Sequence, residues 1–246
     1  MKKILIGIIT LTLLASSIAG ASLLDKVKDL TEKKEKQSGS STQGAGLDKD
    51  TVAAGLKEAL TVGSQNAVKT VSGVDGYFKN PAIRIPLPDK VKKVEKPLRK
   101  IGLGKQVDEF VLTMNRAAEK AAPAAKDIFI GAVKEMTIVD AVNILRGGDT
   151  AATDYMRSKT YDKLYAAFRP TVTQAVMSVG VTKAYETLIA KAKKSRLIKD
   201  ESLDLDHYVT TKALDGLFTM VAQEEKKIRK DPVAQVTDLL KKVFGK

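Results

Sequence analysis

The chain has 246 residues, a formal net charge of +13 and no cysteine. Disulfides and thiolate metal sites are therefore excluded, and stability must come from a hydrophobic core, for which the chain is long enough. Tryptophan is absent and aromatic residues make up 5% of the chain, which leaves few platforms for base stacking, so we expect no nucleic acid partner.

The N-terminal stretch MKKILIGIITLTLLASSIAGAS has the three parts of an export signal. Two lysines give a positive start, residues 4–15 are apolar, and the small residues at 19–21 form a cleavage site. The apolar run is shorter than the roughly 20 residues that a bilayer span needs. We therefore expect a signal peptide over 1–21 that is cleaved after Ala21. The mature chain would have no transmembrane span and would lie in the periplasm or be secreted.

The residues after the signal predict a tether and then one folded domain. The segment 22–46 ends in QSGSSTQGAG, which is typical of a flexible linker, so we place the domain at 47–246. From there the apolar periodicity is helical almost throughout. The exception is DGYFKNPAIRIPLP, residues 75–88, whose prolines and alternating apolar residues predict an extended crossover. The fold class expected is all-α, a bundle-like domain with one extended segment.

Acidic and hydroxyl side chains predict several helix starts. Asp48 or Asp50 begins a helix that runs to about residue 72, and Thr137 with Asp140 forms a capping box before a short helix. Asp149 is placed to cap the helix after that one.

Proline and glycine predict the other boundaries. Pro97 lies within a basic helix that Gly102 ends, and Pro170 begins a new helix. A long helix covers about 206–230, and Asp231-Pro232 begins the terminal helix.

Two predicted helices carry acidic or amide groups on their apolar sides. Glu224 and Glu225 fall inside the apolar arc of the long helix, while Asn115 and Glu119 lie one turn apart beside the core direction of an earlier helix. Because buried charges need partners, we predict a satisfied interior network. Its candidate members are Asn115, Arg116, Glu119, Glu224, Glu225 and Arg229.

A catalytic interpretation of these carboxylates stays open as a hydrolase that uses Glu119 and Glu224. Neighbouring carboxylates on a helix diverge by about 100°, which favours a structural role for Glu224 and Glu225. The single histidine, His207, fits the first turn of a helix capped by Asp204 or Asp206 better than a metal site. The sequence has no GxSxG, GxGxxG, P-loop or HExxH motif. We therefore assign no catalytic residue, no metal and no cofactor.

Basic residues concentrate in two segments of the domain. Residues 84–105 carry eight basic and two acidic side chains, and residues 183–199 carry six and one. Such regions attract anions, which for an exported protein are lipid headgroups, glycans or acidic envelope proteins. The anion-binding candidates are Arg84, Lys92, Lys93, Lys96, Arg99, Lys100, Lys191, Lys193, Lys194 and Arg196.

Aromatic side chains supply the basis of an alternative function. Tyr155, Tyr161, Tyr165, Tyr185 and Phe168 occur at helical spacing, which is typical of a core. The same residues could line a pocket, in which case the protein would be a carrier of an apolar ligand. The interpretation that we favour is a monomeric, non-enzymatic helical module that binds an anionic envelope partner.

Several ordered stretches resemble a bacterial family known as domain of unknown function 4197. They are GLKEAL, DGYFKNPAIRIPLP, MNRAAEKAAP, MTIVDAVNIL, AATDYM, YVTTKALDGLF and EEKKIRKDP, over residues 55–232, with LLKKVFG near the end. The resemblance implies a helical exported or envelope protein and supplies no catalytic residue. Many members look like lipoproteins or secreted proteins, but this chain lacks the cysteine for a lipid anchor and is expected to be freely soluble.

Overall fold

The computed structural model describes residues 48–177 and 204–230, with the isolated residues Ala190, Lys194, Gln235, Thr237, Asp238, Lys241 and Val243. In this part of the chain there are seven α-helices and no strand. They are α1 Lys49–Ser72, α2 Asp89–Lys100, α3 Gly104–Ala121, α4 Ala125–Glu135, α5 Ile138–Arg146, α6 Ala151–Val176 and α7 Leu205–Lys230, and a 3₁₀ turn, Ala122–Ala124, joins α3 to α4. The prediction of an all-α fold is confirmed.

The hydrophobic core lies between the three longest helices and α3. The helix α7 packs against α6 and α1, α6 packs against α3, and α1 also contacts α4 and α5. Fully buried phenylalanines fill the centre, and the rings of Phe129 and Phe218 meet edge to face with centroids 5.8 Å apart. None of the described helices is both long and apolar enough to cross a bilayer.

Three predicted helix starts are confirmed by their hydrogen bonds. Asp48 accepts from the backbone N–H of Thr51 at 2.8 Å at the start of α1. Thr137 and Asp140 exchange side-chain and backbone bonds in a complete capping box before α5. Asp204 accepts from the N–H of His207 at 2.9 Å, so Asp204 caps α7.

The predicted role of Asp149 as a helix cap is wrong. The residue before α6 is Thr150, which makes no capping bond through its side chain, and Asp149 instead pairs with Lys230 on α7. The physical reason is that a carboxylate from another helix, Glu225, occupies the first free amides of α6. A tertiary contact replaces the local cap.

The predicted helix start at Pro170 is also wrong, because α6 continues through this residue from Ala151 to Val176. A proline inside a helix removes one hydrogen bond, to the carbonyl four residues earlier. Here Ala166 and Pro170 are both exposed, so that carbonyl faces water. The buried stripe of Leu164, Phe168 and Val172 continues past the proline and holds the helix on the core.

Some predictions fall on parts of the chain that the structure does not describe. These are the signal peptide, the tether, the surroundings of Tyr185 and most of the terminal helix predicted after Pro232.

The crossover, predicted as extended over 75–88, occupies residues 73–88 between α1 and α2. Residues 74–79 and 81–83 form hydrogen-bonded turns, so the one continuous stretch free of helix and turn is residues 84–88, and the predicted alternation is present. Ile83, Ile85 and Leu87 are buried, whereas Arg84 and Pro86 between them are exposed. At its start the ring of Tyr77 is fully buried, and its hydroxyl donates to the carbonyl of Ala213 on α7 at 2.7 Å. The segment therefore contributes to the core although it has no strand partner.

A glycine on α7 permits this close approach of the crossover. A Cβ at Gly216 would lie 2.7 Å from Cε1 of Tyr77 and 3.1 Å from Cβ of Ile83. Real side chains do not pack this closely, and neither neighbour is at the flexible end of a long side chain. Gly216 is thus required by packing.

Replacing Gly216 with alanine is expected to lower the free energy of unfolding by about 1–3 kcal/mol, since the added methyl overlaps a filled core. Gly131 inside α4 is a matched control, because a Cβ there meets nothing within 4 Å. Gly131→Ala should stabilise by about 0.5–1 kcal/mol through helix propensity. Urea unfolding measures both, and a stabilising Gly216→Ala would show that the close approach has no energetic role.

Candidate functional site

The side chain of Asn115 on α3 pairs with the backbone of the crossover as a neighbouring strand would. Asn115 is fully buried, and its Oδ1 accepts from the N–H of Ile85 at 2.8 Å. Its Nδ2 donates to the carbonyls of Ile85 at 2.9 Å and Val111 at 2.8 Å. A buried backbone group without a partner costs free energy comparable to a lost hydrogen bond. The amide therefore makes an extended segment possible inside a helical domain.

One turn further along α3, Glu119 binds the start of the crossover. Its Oε1 accepts from the N–H groups of Tyr77 and Phe78 at 3.1 and 3.2 Å. Its Oε2 accepts from Arg116 at 2.6 Å. The carboxylate is 5% exposed, so all of these are charge-assisted bonds in a largely dry environment.

Arg116 extends this group to the turn before Tyr77. Its Nη2 donates to Oδ1 of Asp75 at 2.7 Å, and Lys79 approaches Oδ2 of the same carboxylate at 2.8 Å. The hydrogen bond from Lys79 and then that from Arg116 hold the pKa of Asp75 below its usual range. Asp75 has a left-handed backbone, with φ of 68°, so the two cations stabilise the turn that directs the chain into the crossover.

A second group of buried charges holds the junction between α5 and α6. Glu225 on α7 accepts from the N–H groups of Ala152 and Thr153 at 3.0 and 2.9 Å, and from the Thr153 hydroxyl at 2.8 Å. Arg229 binds Glu225 at 2.9 Å and donates to the carbonyl of Ile144 in the last turn of α5 at 3.0 Å. The anion thus lies at a helix N-terminus and the cation at a helix C-terminus, as the helix dipoles favour.

The structure shows two networks where the sequence suggested one. Glu224 belongs to neither network, since its partners are Asn66 at 3.2 Å and Lys227 at 2.5 Å. Within the described part of the chain, no hydrogen bond joins the Asn115–Glu119 group to the Glu225–Arg229 group. Glu119 and Glu225 are each directed at backbone amides, an arrangement that fixes segments and leaves little freedom for proton transfer.

The cavity lined by α1 and α7 is small. It has a volume of about 20 Å³, with Leu60 and Ile228 among its apolar residues and Ser64 and Glu225 among its polar ones. This volume suits about one water molecule, whereas ligand pockets are commonly several hundred Å³. This cavity is too small to hold the apolar ligand of a carrier.

The aromatic residues of α6 belong to the core in the described part of the chain. Phe168 is fully buried, and Tyr155, Tyr161 and Tyr165 pack against the core with partly buried rings. The fourth tyrosine of the set, Tyr185, lies outside the described residues.

Several of the predicted anion-binding residues meet at an open groove between the crossover and the α2–α3 pair. Arg84, Lys92 and Arg99 line this groove, together with the acidic residues Glu95 and Asp108. We refer to it as the basic groove. Its apolar lining includes Pro86, Leu87 and Val111.

Local charges divide the three cations of the basic groove into two kinds. Arg99 is paired with Glu95 at 3.0 Å and with Asp108 at 2.5 Å, and this bond holds the pKa of Asp108 below its usual range. Arg84 lies over the ring of Phe78, 4.6 Å from the centroid. Among the described residues, neither Arg84 nor Lys92 forms an ion pair. These two are the cations that a bound anion would neutralise.

The other predicted basic candidates lie apart from the groove lining. Lys93, Lys96 and Lys100 are exposed on α2, and Lys194 is exposed. Lys191, Lys193 and Arg196 lie outside the described residues.

Two features of the groove were missed by the sequence analysis. The pairing of Glu95 with Arg99 was visible as an i, i+4 spacing, but the stacking of Arg84 on Phe78 depends on the fold.

His207 is exposed, as expected for the first turn of a capped helix. Its Nδ1 lies 2.8 Å from the hydroxyl of Tyr165 on α6. Across the described residues, no three side chains of the metal-binding types come together.

The geometry describes a helical module with buried charges in structural positions and a basic groove at the surface. Residues 46–245 match the family described as Protein of unknown function (DUF4197), so the chain belongs to that family. No curated protein and no solved structure matches the chain significantly. Its function must therefore be inferred from the chain's own residues.

Replacing Asn115 with leucine is expected to lower the free energy of unfolding by about 2–5 kcal/mol, because it leaves the backbone of Ile85 without partners. Asn143, exposed on α5, is the matched control, and the same substitution there should change stability by less than about 0.5 kcal/mol. Urea unfolding measures both. Faster amide hydrogen exchange at Ile85 in the Asn115 variant would locate the loss; unchanged exchange would contradict it.

A second tyrosine gives the attachment of the crossover a pH dependence. Tyr208 on α7 donates to the carbonyl of Pro86 at 3.1 Å, and burial, with the charge of Asp89, raises the pKa of Tyr208 to about 12. A raised pKa means that the folded state favours the neutral phenol. The contribution of Tyr208 to stability is therefore fully present below about pH 10, the ordinary pKa of tyrosine. It is lost as the pH rises toward the pKa of Tyr208 in the folded protein.

Tyr208→Phe should consequently be less stable than the wild type at neutral pH by about 1 kcal/mol, through the lost hydrogen bond. Its stability should fall less steeply between pH 10 and about 12, where only the wild type has Tyr208 to ionise. Unfolding free energies at several pH values, with tyrosinate absorbance, measure this. Parallel curves for the two proteins would disprove it.

Proposed function

We propose that this protein is an exported, non-enzymatic helical module that binds an anionic partner of the cell envelope through the basic groove. The observation that carries the proposal is the pair of exposed cations, Arg84 and Lys92, that line the groove and form no ion pair among the described residues, although the charge of Arg84 also attracts Asp108 across the groove. The export signal predicted over residues 1–21 supports a periplasmic or secreted location, where lipid headgroups, glycans and acidic proteins are the available anions.

The way in which the groove is held supports binding. Arg84 lies between two buried residues of the crossover and next to Ile85, whose backbone is fixed by Asn115. Its guanidinium is further positioned by the ring of Phe78. A cation that is already in place loses less conformational entropy when it binds an anion.

The charge of α2 supports an anionic partner. The helix contains six basic and two acidic residues in its twelve positions, and its exposed lysines extend the positive region beyond the groove. Arg99 adds little net charge because Glu95 on its own helix and Asp108 on α3 neutralise it, and its bond to Asp108 joins the two helices at the surface. A positive region of this kind gives binding that weakens as salt is added.

The positions of the buried carboxylates support a non-enzymatic role. A general acid or base must reach the reacting atom with a free oxygen or proton. Both oxygens of each carboxylate accept hydrogen bonds: Glu225 and Oε1 of Glu119 accept from backbone amides of neighbouring segments, and Oε2 of Glu119 accepts from Arg116 on the same helix. They are committed to fixing the crossover and the start of α6.

Reversing both groove charges, with Arg84→Glu and Lys92→Glu, should weaken binding to phosphatidylglycerol vesicles or to heparin by at least about 30-fold at low salt. The estimate assumes about 1 kcal/mol for each basic residue near an anionic surface. Cosedimentation with the vesicles and a heparin binding titration are the measurements.

The control is Lys126→Glu with Lys163→Glu, which changes the net charge equally at exposed positions of α4 and α6. This variant should lose only a few-fold in affinity, through long-range repulsion that salt screens. Equal losses in the two double variants, or wild-type binding that does not respond to salt, would refute a role for the groove.

A further inference from the structure

We propose that the anionic partner is the surface of a phospholipid bilayer, and that the turn between α2 and α3 inserts Ile101 into it. This inference rests on the proposed function and specifies its ligand. The turn, residues 101–103, combines an exposed apolar side chain with cations at the adjoining helix ends, and we call it the α2–α3 turn.

Ile101 is exposed because the apolar stripe of α2 continues past the point where the core ends. Val91 and Leu98 on the same stripe are about 1% exposed, whereas Ile101 is 53% exposed. The helix ends at Lys100, and the N–H of Ile101 still bonds to the carbonyl of Pro97 at 3.2 Å. Ile101 is therefore held on a hydrogen-bonded turn, so its exposure is a fixed feature of the surface.

The residues around Ile101 keep the turn rigid. Gly102 has a left-handed backbone, with φ of 84°, and directs the chain into α3. Leu98 before the turn and Leu103 after it are both buried, so the turn is anchored on each side. An isoleucine at a rigid tip can enter a bilayer without a further ordering cost in the protein.

The charge around the tip is positive. From residue 96 to residue 107 there are four basic residues and no acidic residue. Lys96, Lys100 and Lys105 are exposed, and Arg99 is held by its two ion pairs. An exposed isoleucine between Lys100 and Lys105 can insert below the headgroups while the two ammonium groups remain at the level of the phosphates.

The combination of an exposed isoleucine with surrounding lysines favours a bilayer over a glycan or an acidic protein. A sulfated glycan offers anions in a fully hydrated chain and gives an apolar side chain nothing to enter. A bilayer offers both an anionic surface and an apolar interior, and peripheral binding commonly depends on the two together. At about 100° per residue Lys92 and Ile101 point to opposite sides of α2, so the cations that accompany Ile101 at the bilayer are Lys100 and Lys105, which flank it.

The absence of tryptophan from the chain provides a direct test. Ile101→Trp introduces a single indole fluorophore, whose emission should shift to shorter wavelength and gain protection from an aqueous quencher on addition of phosphatidylglycerol vesicles. Phosphatidylcholine vesicles and heparin should leave the emission unchanged. Val139→Trp is the control, because Val139 is 69% exposed but lies on α5 beside Asp140, and it should show no shift.

The outcomes separate this inference from the proposed function. If the Ile101→Trp protein sediments with the vesicles while its indole stays accessible to the quencher, insertion is wrong and the basic groove alone can still account for binding. A shift of equal size with heparin would also overturn insertion, since it would report a change within the protein. If the wild type binds neither vesicles nor heparin, the proposed function fails as well.

A second variant tests the contribution of the side chain to affinity. Ile101→Ser should weaken binding to phosphatidylglycerol vesicles roughly tenfold, because an apolar side chain no longer leaves water on binding. Heparin binding and the melting temperature should match the wild type, since half of this side chain is already exposed. Unchanged vesicle affinity would overturn the inference.

Discussion

The crossover satisfies part of its backbone hydrogen bonding within its own turns, but the N–H groups of Tyr77, Phe78 and Ile85 need partners from elsewhere, and this constraint organises the structure. The helix α3 resolves it with two side chains, because Asn115 pairs with both backbone groups of Ile85 and Glu119 accepts from two amides at the start of the crossover. With its backbone satisfied, the segment can bury alternate side chains and place the residues between them at the surface. The position of Arg84, and with it one wall of the basic groove, follows from this anchoring.

The same use of side chains on backbone groups explains the second buried network. The carboxylate of Glu225 binds the first amides of α6, and Arg229 binds a last carbonyl of α5, so one turn of α7 holds two helix ends. In both networks the ionised side chain is matched by groups whose partial charges come from the backbone. The buried charges in these two networks thus fix where segments begin and end. This role is structural, and it depends mainly on backbone groups as partners.

Features set by local forces were predictable from the sequence, and features set by tertiary contacts were not. The cap at Asp48, the capping box at Thr137 and the alternation in the crossover were all predictable, because partners lie within four residues or on the same strand-like segment. The roles of Asp149 and Pro170 were not predictable. Glu225 replaces the cap expected from Asp149, and the core packing of α6 lets that helix continue through Pro170. The burial of Glu119 and Glu225 could be read from periodicity, but their partners are backbone amides, which no residue type reveals.

The basic groove shows why the number of cations in a segment is a poor guide to its binding surface. The segment 84–105 contains eight basic residues, yet only Arg84, Lys92 and Arg99 line the groove, and Arg99 is neutralised by two carboxylates. Arg99 joins α2 to α3 only through its exposed ion pair with Asp108, while the buried side chains of Leu98 and Leu103 hold the turn that carries Ile101. The number of basic residues in the segment is therefore larger than the number that is free to bind a partner. A bilayer can bind Ile101 together with the lysines beside it, whereas a partner with anions alone binds only the cations.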